Sequence, residues 1–392
     1  MIAFRLSLAY AAFFAVTGVQ QPFWPVWLQS AGLTGADIGL VLSLSIGIKV
    51  LSGPVIAHLA DRRGARKRLA VVLSLMAAIA FGHFAFARSL GPILLVSLVY
   101  FAVWPPVVSL TESVTVNADL LGLADYGRVR LWGSFSFIVC AMVAGQVLTR
   151  APADAIYWMI LGLQVLVLIA CLQMPALAET ASRSRRLPLV EVLGDRRFAS
   201  MLVACGLIQG SHAVYYGFGA LAWKAAGYSE AVIGLLWAEA VIAEIVLFAL
   251  GTRLLRRCSP LALIAAAGVL AAVRWIGLGL TEALPALIAL QLLHAFSFGA
   301  AHLAAMKHMA VGIGPALSAT AQTLYSGLVW GLFLGGGLLA AGYLFEATGR
   351  HAYFVMAVPA VIGGALAWYV SDGPGEGSGP RTTRPAGHLA SP

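Results

Sequence analysis

Charge is scarce in this chain: Asp, Glu, Lys and Arg make up only 10% of its 392 residues. A soluble domain carries roughly a quarter. With 60% of residues hydrophobic and a mean hydropathy of +0.89, a water-soluble globule is excluded, because its interior is too small to hide that much apolar surface. Cysteine is scarcer still. The four present (Cys140, Cys171, Cys205, Cys258) follow no paired spacing, which argues against a disulfide framework or a metal site. No ten-residue polar/apolar alternation suggests a membrane β-barrel. A phosphate-cradling Gly-rich loop ending in Lys-Ser/Thr is missing too, which argues against ATP-driven pumping. With no catalytic motif at suitable spacing, neither an enzyme nor a cofactor is expected.

What the chain has is long apolar runs. Twelve are long enough to cross a bilayer, which takes about 20 residues of helix each: 4–28, 36–57, 69–87, 91–112, 130–150, 155–174, 198–222, 230–252, 260–280, 283–307, 316–343 and 351–371. They must be helices, since lipid offers backbone groups no partner. The first is too long for a signal-peptide core and is read as uncleaved. The expected fold class is an all-α integral membrane protein of twelve transmembrane helices. Its expected organisation is a six-helix bundle over 1–174, a basic cytoplasmic linker over 175–197, a second bundle over 198–371 and a disordered tail over 372–392.

Basic residues set the expected orientation. With the N-terminus inside, nineteen of the 25 Lys and Arg fall on the cytoplasmic side and four (Arg88, Arg150, Lys224, Arg350) on the other. The net charge of +9 is thereby explained by short loops beside anionic lipid, without nucleic acid as a partner. The two remaining basic residues, Lys49 and Arg274, lie inside spans.

A half-length unit occurs twice. Residues 31–40 read Ala-Gly-Leu-Thr-Gly-Ala-Asp-Ile-Gly-Leu and residues 226–235 read Ala-Gly-Tyr-Ser-Glu-Ala-Val-Ile-Gly-Leu, an offset of 195. At that offset Phe23 meets Phe218 and Lys49 meets Glu244. A fixed-period repeat constrains the fold strongly, and parallel six-span repeats build one large class of secondary transporters.

The turn after span two, Ala57-His58-Leu59-Ala60-Asp61-Arg62-Arg63-Gly64-Ala65-Arg66-Lys67, resembles the signature loop of the major facilitator superfamily. Ala57 departs from that pattern's first glycine. The resemblance implies a cytoplasmic gate latch at Asp61, Arg62, Gly64 and Arg66. Gln21-Pro22-Phe23-Trp24-Pro25-Val26-Trp27-Leu28, Asp125 to Ser134, Gln209 to Phe218, Val273-Arg274-Trp275 and His302 to Met306 look like the phenylpropionate permease group of that superfamily. They lie in spans one, five, seven, nine and ten. This implies proton-coupled uptake of an aromatic carboxylic acid across a bacterial inner membrane, by a monomer with lipid, substrate and protons as its partners. Asp125, Arg128 and Arg130, at the entry of span five, are expected to form inter-loop ion pairs near Asp61.

Ionisable residues inside the membrane are the bottom-up signal, because a charge at bilayer depth costs about 2.5–3.5 kcal/mol on insertion scales and so faces a cavity or a partner. Lys49, His212, Glu239, Glu244, Arg274, His294 and His302 qualify. A proton carrier needs a carboxyl poised between burial and a nearby cation. Glu244 is the first choice, at the repeat position of Lys49. Glu239, five residues away, is about 140° round the helix and should face elsewhere. Either glutamate can pair with Arg274. The order Glu, Arg, His in spans eight, nine and ten is similar to lactose permease, but no carboxylate occurs between Ser297 and Gly314, so His294 and His302 are the candidate stand-ins.

In this superfamily helices one, four, seven and ten line the cavity, which suggests Gln20, Gln21, Phe23, Gln209, His212 and Tyr216 for substrate contact, with Lys49 or Arg274 receiving a carboxylate. Trp24, Trp27 and Trp223 are expected as interfacial anchors. Trp104-Pro105-Pro106 and Gly335-Gly336-Gly337 should interrupt their helices. Sugar or nucleoside symport and drug export are the alternatives within transport, and a membrane receptor is the alternative outside it. An unpaired Arg274 would favour an acid, and a neutralised one a sugar.

Overall fold

The computed structural model describes residues 1–177, 193–313 and 317–371. The expected tail, most of the expected linker and the Asp61 side chain lie outside them. The described residues contain no strand. The membrane helices are α1 (Ile2–Ser30), α2 (Gly35–Arg63), α3 (Arg66–Phe86), α4 (Leu90–Leu120), α5 (Tyr126–Leu148), α6 (Asp154–Gln173), α7 (Arg196–Ala225), α8 (Glu230–Arg257), α9 (Pro260–Leu280), α10 (Leu284–Gly312), α11 (318–348) and α12 (Ala352–Ser371). The last two belong to one helical run of 52 residues. At 1.5 Å per residue it would extend about 78 Å, far beyond a roughly 30 Å core. It folds back at Gly349, whose φ of +57° a side chain would strain.

The repeated ten residues have one structural job, done twice. Gly32 and Gly227 turn the chain at φ +90° and +88°. Thr34 and Ser229 then cap α2 and α8, accepting from the Asp37 and Val232 N–H groups. One turn on, Gly39 and Gly234 meet the opposite half. A Cβ on Gly39 would sit 2.7 Å from the Leu338 carbonyl of α11, and one on Gly234 would collide with the Ala141 carbonyl of α5. Gly342 and Gly145 answer from the other side, so the α2–α11 and α5–α8 seams bring backbone against backbone. Glu346 adds a polar tie, its carboxylate accepting the Ala36 N–H at 2.7 Å.

These seams lie at the end of the molecule away from the basic 61–68 turn. Towards the basic end the halves part. Among the described residues, the glycine contacts between α2 and α11 run as far as Val50 against Gly327 and Gly331. The segments Pro105–Leu120, Arg196–Gly210 and Ala301–Gly312 pack mainly within their own half. Among the described residues the conformation is therefore sealed at the turn-bearing end and open at the basic end.

Four helices are irregular at mid-depth. α4 breaks at Trp104, before Pro105, as its sequence predicts. α7 breaks at Ser211–His212, between Gly210 and Ala213. Widened π turns occupy Ala295–Ala300 of α10 and Ser326–Leu334 of α11. The glycine run at 335–337 does not itself break α11. It starts the regular helix Gly335–Thr348, and Gly337 lies close to the Gly210 carbonyl.

Candidate functional site

Arg274 is fully buried, at 0% exposure, in the second half. Its Nη2 donates to Gln291 Oε1 at 2.7 Å, while Nη1 donates to His294 Nδ1 at 3.0 Å and lies 3.4 Å from Ser297 Oγ. The guanidinium also covers the rings of Tyr215 (4.3 Å to centroid) and Trp275 (4.8 Å). Gln291 Nε2 in turn donates to Tyr215 Oη and to the Leu236 carbonyl, both at 3.0 Å. A carbonyl can only accept, so His212 donates through Nδ1 to Ile208 at 3.0 Å, leaving Nε2 to accept from Ser297 Oγ at 3.2 Å. The break in α7 makes this possible by turning Ser211 and His212 inward, and Ser211 Oγ accepts the Trp275 indole N–H at 2.8 Å. The expected Arg274–glutamate pair is absent. Among the described residues no carboxylate lies within ion-pair reach of Arg274, whose shell is neutral throughout.

A second polar cluster lies in the first half. Tyr126 of α5 donates to Glu112 of α4 at 2.6 Å. Arg130, one turn on, lays its guanidinium over Phe14 at 4.4 Å and Tyr10 at 5.9 Å. Across the gap stands Glu244 of α8, half-buried, its Cγ 3.3 Å from where a Cβ on Gly299 of α10 would be. Arg130 belongs to α5, the helix of the first half that packs against α8. This corrects the expected inter-loop role of the α5 entry. Arg130 turns into the molecule towards α1, because two aromatic faces hold it there. Asp125 and Arg128 pair with each other at 3.8 Å, both exposed, and Asp125 caps α5 by accepting the Arg128 N–H. Within the signature turn, Gly64 ends α2 in the left-handed region at φ +55°, Arg62 is exposed and Arg66 opens α3.

Lys49 is the exposed cation between the halves. It lies seven residues after Leu42, which packs near Gly217 of α7, and three after Ile46, which packs against Gly335 of α11. Those spacings put all three on one face of α2, opposite the outward-facing Leu51 at 69% exposure. No carboxylate of the described residues is within ion-pair reach of Lys49. Glu239 has the other fate. It falls in line with Leu235, Ile242 and Val246, which are 46%, 47% and 54% exposed, on the outward stripe of α8. Its angular offset from Glu244 places it on a different side of α8.

Several expected cavity residues are core. Phe23, Gln209 and His212 are fully buried. Phe23 belongs to the hydrophobic core, and Gln209 Nε2 donates to the Phe298 carbonyl in the π turn of α10 at 3.3 Å. Trp24 and Trp27 stack at 4.5 Å beside Phe81 and Phe84, and Trp223 is buried against Tyr215, so none of the three is an interfacial anchor. Aromatic neighbours within the bundles outcompete the membrane surface for these rings. Gln20, Gln21 and Tyr216 are half-buried. Gln20 Oε1 accepts from Tyr100 at 3.5 Å, and Gln164 Nε2 donates to the same hydroxyl at 2.6 Å. His302 is half-buried with Nδ1 3.3 Å from Tyr325 Oη. The residues that sequence reasoning missed are Glu112, Gln291, Ser297, Phe298 and Trp330. Glu112 and Gln291 carried a signal, as polar groups in or at the end of apolar runs.

The geometry is that of two six-helix sets closing on each other at one end around mid-membrane polar groups, and the comparisons agree. A family model described as "MFS_1 like family" matches residues 3–356. The chain belongs to this family of major facilitator transporters. It is 34% identical over 365 residues to the "Probable 3-phenylpropionic acid transporter" of Escherichia coli (strain K12), covering 91% of this chain and 94% of that protein. It is 26% identical over 344 residues to the maltose permease of Geobacillus stearothermophilus, covering 86% of each. The crystal structure of the nucleoside transporter NupG superposes with a TM-score of 0.83 at 16% identity, over 95% of this chain and 99% of that one. At that identity the likeness speaks for the fold. The protein is a multi-pass membrane transporter of small molecules, not an enzyme.

Proposed function

We propose that this transporter imports a small aromatic carboxylic acid together with a proton across a bacterial inner membrane, as a monomer, with its basic end in the cytoplasm. The observation that carries the reading is Lys49, an exposed ammonium between the halves with no carboxylate partner among the described residues. A cation left unpaired at bilayer depth is stabilised when an anionic substrate arrives. The 34% identical relative bears a name of that substrate class. Arg274 belongs to the same reading as a fixed buried charge behind Tyr215 and His294, biasing the second half towards anions without touching them.

Glu244 is the proton carrier in this scheme. It faces the gap, with Arg130 as the opposing charge from the other half. Protonated, it lets the halves move independently; ionised, it draws Arg130 off its Phe14 platform and couples their approach at the basic end. His302 and His294 are secondary candidates. The α2–α3 turn, with Asp61, Arg62, Gly64 and Arg66, is the latch when that end is shut. The conformation described above is then the one that releases substrate to the cytoplasm.

Uptake of labelled 3-phenylpropionate into vesicles under an imposed pH gradient tests the reading. Wild type is expected to accumulate it, and Lys49→Ala to lose saturable uptake. A folded wild type that takes up none sinks the substrate assignment. A second reading, symport of a sugar or nucleoside, is favoured by the Glu112–Tyr126 hydrogen bond beside Arg130, a polar set suited to hydroxyls. Maltose or uridine uptake in the same vesicles, abolished by Glu112→Gln, would support it.

A further inference from the structure

We infer that Phe298, His302 and Trp330 form an aryl subsite, and that together with Lys49 it selects carboxylic acids bearing a flat aromatic ring over saturated ones of equal size. The inference rests on the reading of Lys49 as the carboxylate receptor, and it adds where the rest of the substrate goes.

The three rings form a closed set. Phe298 lies 5.6 Å from Trp330 and 6.4 Å from His302, and His302 lies 6.5 Å from Trp330, centroid to centroid. All three are half-buried, in contrast to the fully buried Tyr215 and Trp275 behind them. Each therefore keeps part of its surface free while its neighbours fix its orientation. His302 is held further by Tyr325 Oη at 3.3 Å, and Phe298 by the parallel ring of His294 at 5.1 Å.

Backbone irregularity singles out the same place. The two π segments among the described residues are Ala295–Ala300 and Ser326–Leu334; Phe298 lies in the first and Trp330 in the second. A π turn loses regular hydrogen-bond geometry and is frequently found at functional sites. Here each widens its helix at a ring of the set. Gln209 meets the Phe298 carbonyl at 3.3 Å, satisfying a backbone group in the first bulge.

Lys49 flanks the same seam. Val50, the next residue, packs on Gly327 and Gly331 of α11, so the α2 backbone reaches α11 beside Trp330. A carboxylate at Lys49 with a short alkyl spacer brings its ring to this cluster. Offset-stacked or edge-to-face contact rewards an aromatic ring beyond the area it buries, and a cyclohexyl ring is too thick and lacks the quadrupole to use it.

The test is calorimetric titration of the full-length protein in nanodiscs with 3-phenylpropionate, 3-cyclohexylpropionate and 3-phenylpropan-1-ol. Trp330→Ala is expected to weaken both phenyl ligands about tenfold while moving the cyclohexyl acid less than threefold. Trp330→Phe should restore most of the loss, which separates a missing ring from a damaged fold. Lys49→Ala should weaken the two acids and spare the alcohol. If Lys49→Ala changes nothing but Trp330→Ala still weakens the alcohol, the carboxylate reading fails and the aryl subsite stands. If folded Trp330→Ala and Phe298→Leu both keep the wild-type preference for phenyl over cyclohexyl, or if wild type has no such preference, the subsite is refuted.

Discussion

The carboxylate of Glu346, near the end of α11 in the second half, accepts the backbone N–H of Ala36 at 2.7 Å, at the start of α2 in the first. An anion at a helix N-terminus is stabilised by the unpaired N–H groups and by the helix dipole. This bond exists only while the turn-bearing end is shut, so it counts wholly towards that state. Glu346→Ala should shift the population towards conformers open at that end. An exposed anion at a helix N-terminus contributes about 0.3–1 kcal/mol, so the shift should be roughly two- to fivefold. Distances between spin labels on the Gly32 and Thr348 turns report it directly; an unaltered distribution would refute this role of Glu346.

The paired glycines make a sharper test of the seal. Gly39→Ala and Gly234→Ala each drive a methyl into a carbonyl of the opposing helix. Both should impair closure and transport to a similar degree, because the two seams are structural copies. Gly47→Ala, in the same helix with nothing within 4 Å of the added carbon, is the control. It should be neutral or stabilising by about 0.5–1 kcal/mol. Equal loss of transport in all three would mean that glycine matters here for helix flexibility and not for close approach.

Arg274 separates stability from function. Burying a cation without an anion costs several kcal/mol on the order of its desolvation penalty. Removing it orphans two buried acceptors, Gln291 Oε1 and His294 Nδ1, at a cost of about 1–3 kcal/mol each, so the loss and the released desolvation are of similar size. Arg274→Met should therefore melt near the wild-type temperature in detergent while transport is lost. A marked fall in melting temperature would assign Arg274 to the architecture instead.

The two glutamates of α8 should behave unlike each other. Glu244→Gln is expected to abolish accumulation against a concentration gradient while sparing exchange of internal for external substrate, since a permanently neutral side chain mimics the protonated state. Glu239→Gln, on the outward stripe, should keep gradient-driven uptake within about twofold. Parallel vesicle assays of accumulation and exchange decide this, and a Glu239 defect equal to that of Glu244 would refute the assignment.

The fold was legible because its signals are local. Apolar length gives the passes, and the Ala31–Leu40 repeat encodes a turn glycine, a cap and a packing glycine in ten residues. The site was less legible because it depends on how each helix is rotated, and apolar residues on both the lipid and the interior faces blur that signal. Five-residue spacing was enough to set Glu239 apart from Glu244. Nothing in the spacing of Phe23 or Gln209 separated a cavity wall from a core. Glu112 is inconspicuous because the apolar run stops there, whereas the helix continues to Leu120. The π turns at 295–300 and 326–334 have no sequence hallmark, since they arise from packing between helices far apart in the chain.

Apart from the Glu346 carboxylate, the seams at Gly39 and Gly234 bring uncharged backbone against backbone, and their helices lie in a bilayer. Ionic strength has little hold on such contacts. Lateral pressure acts on them directly, because parting the helices changes the area the protein occupies in the membrane. The balance between its two faces is accordingly set to follow the composition and tension of the surrounding lipid more closely than the salt of the medium.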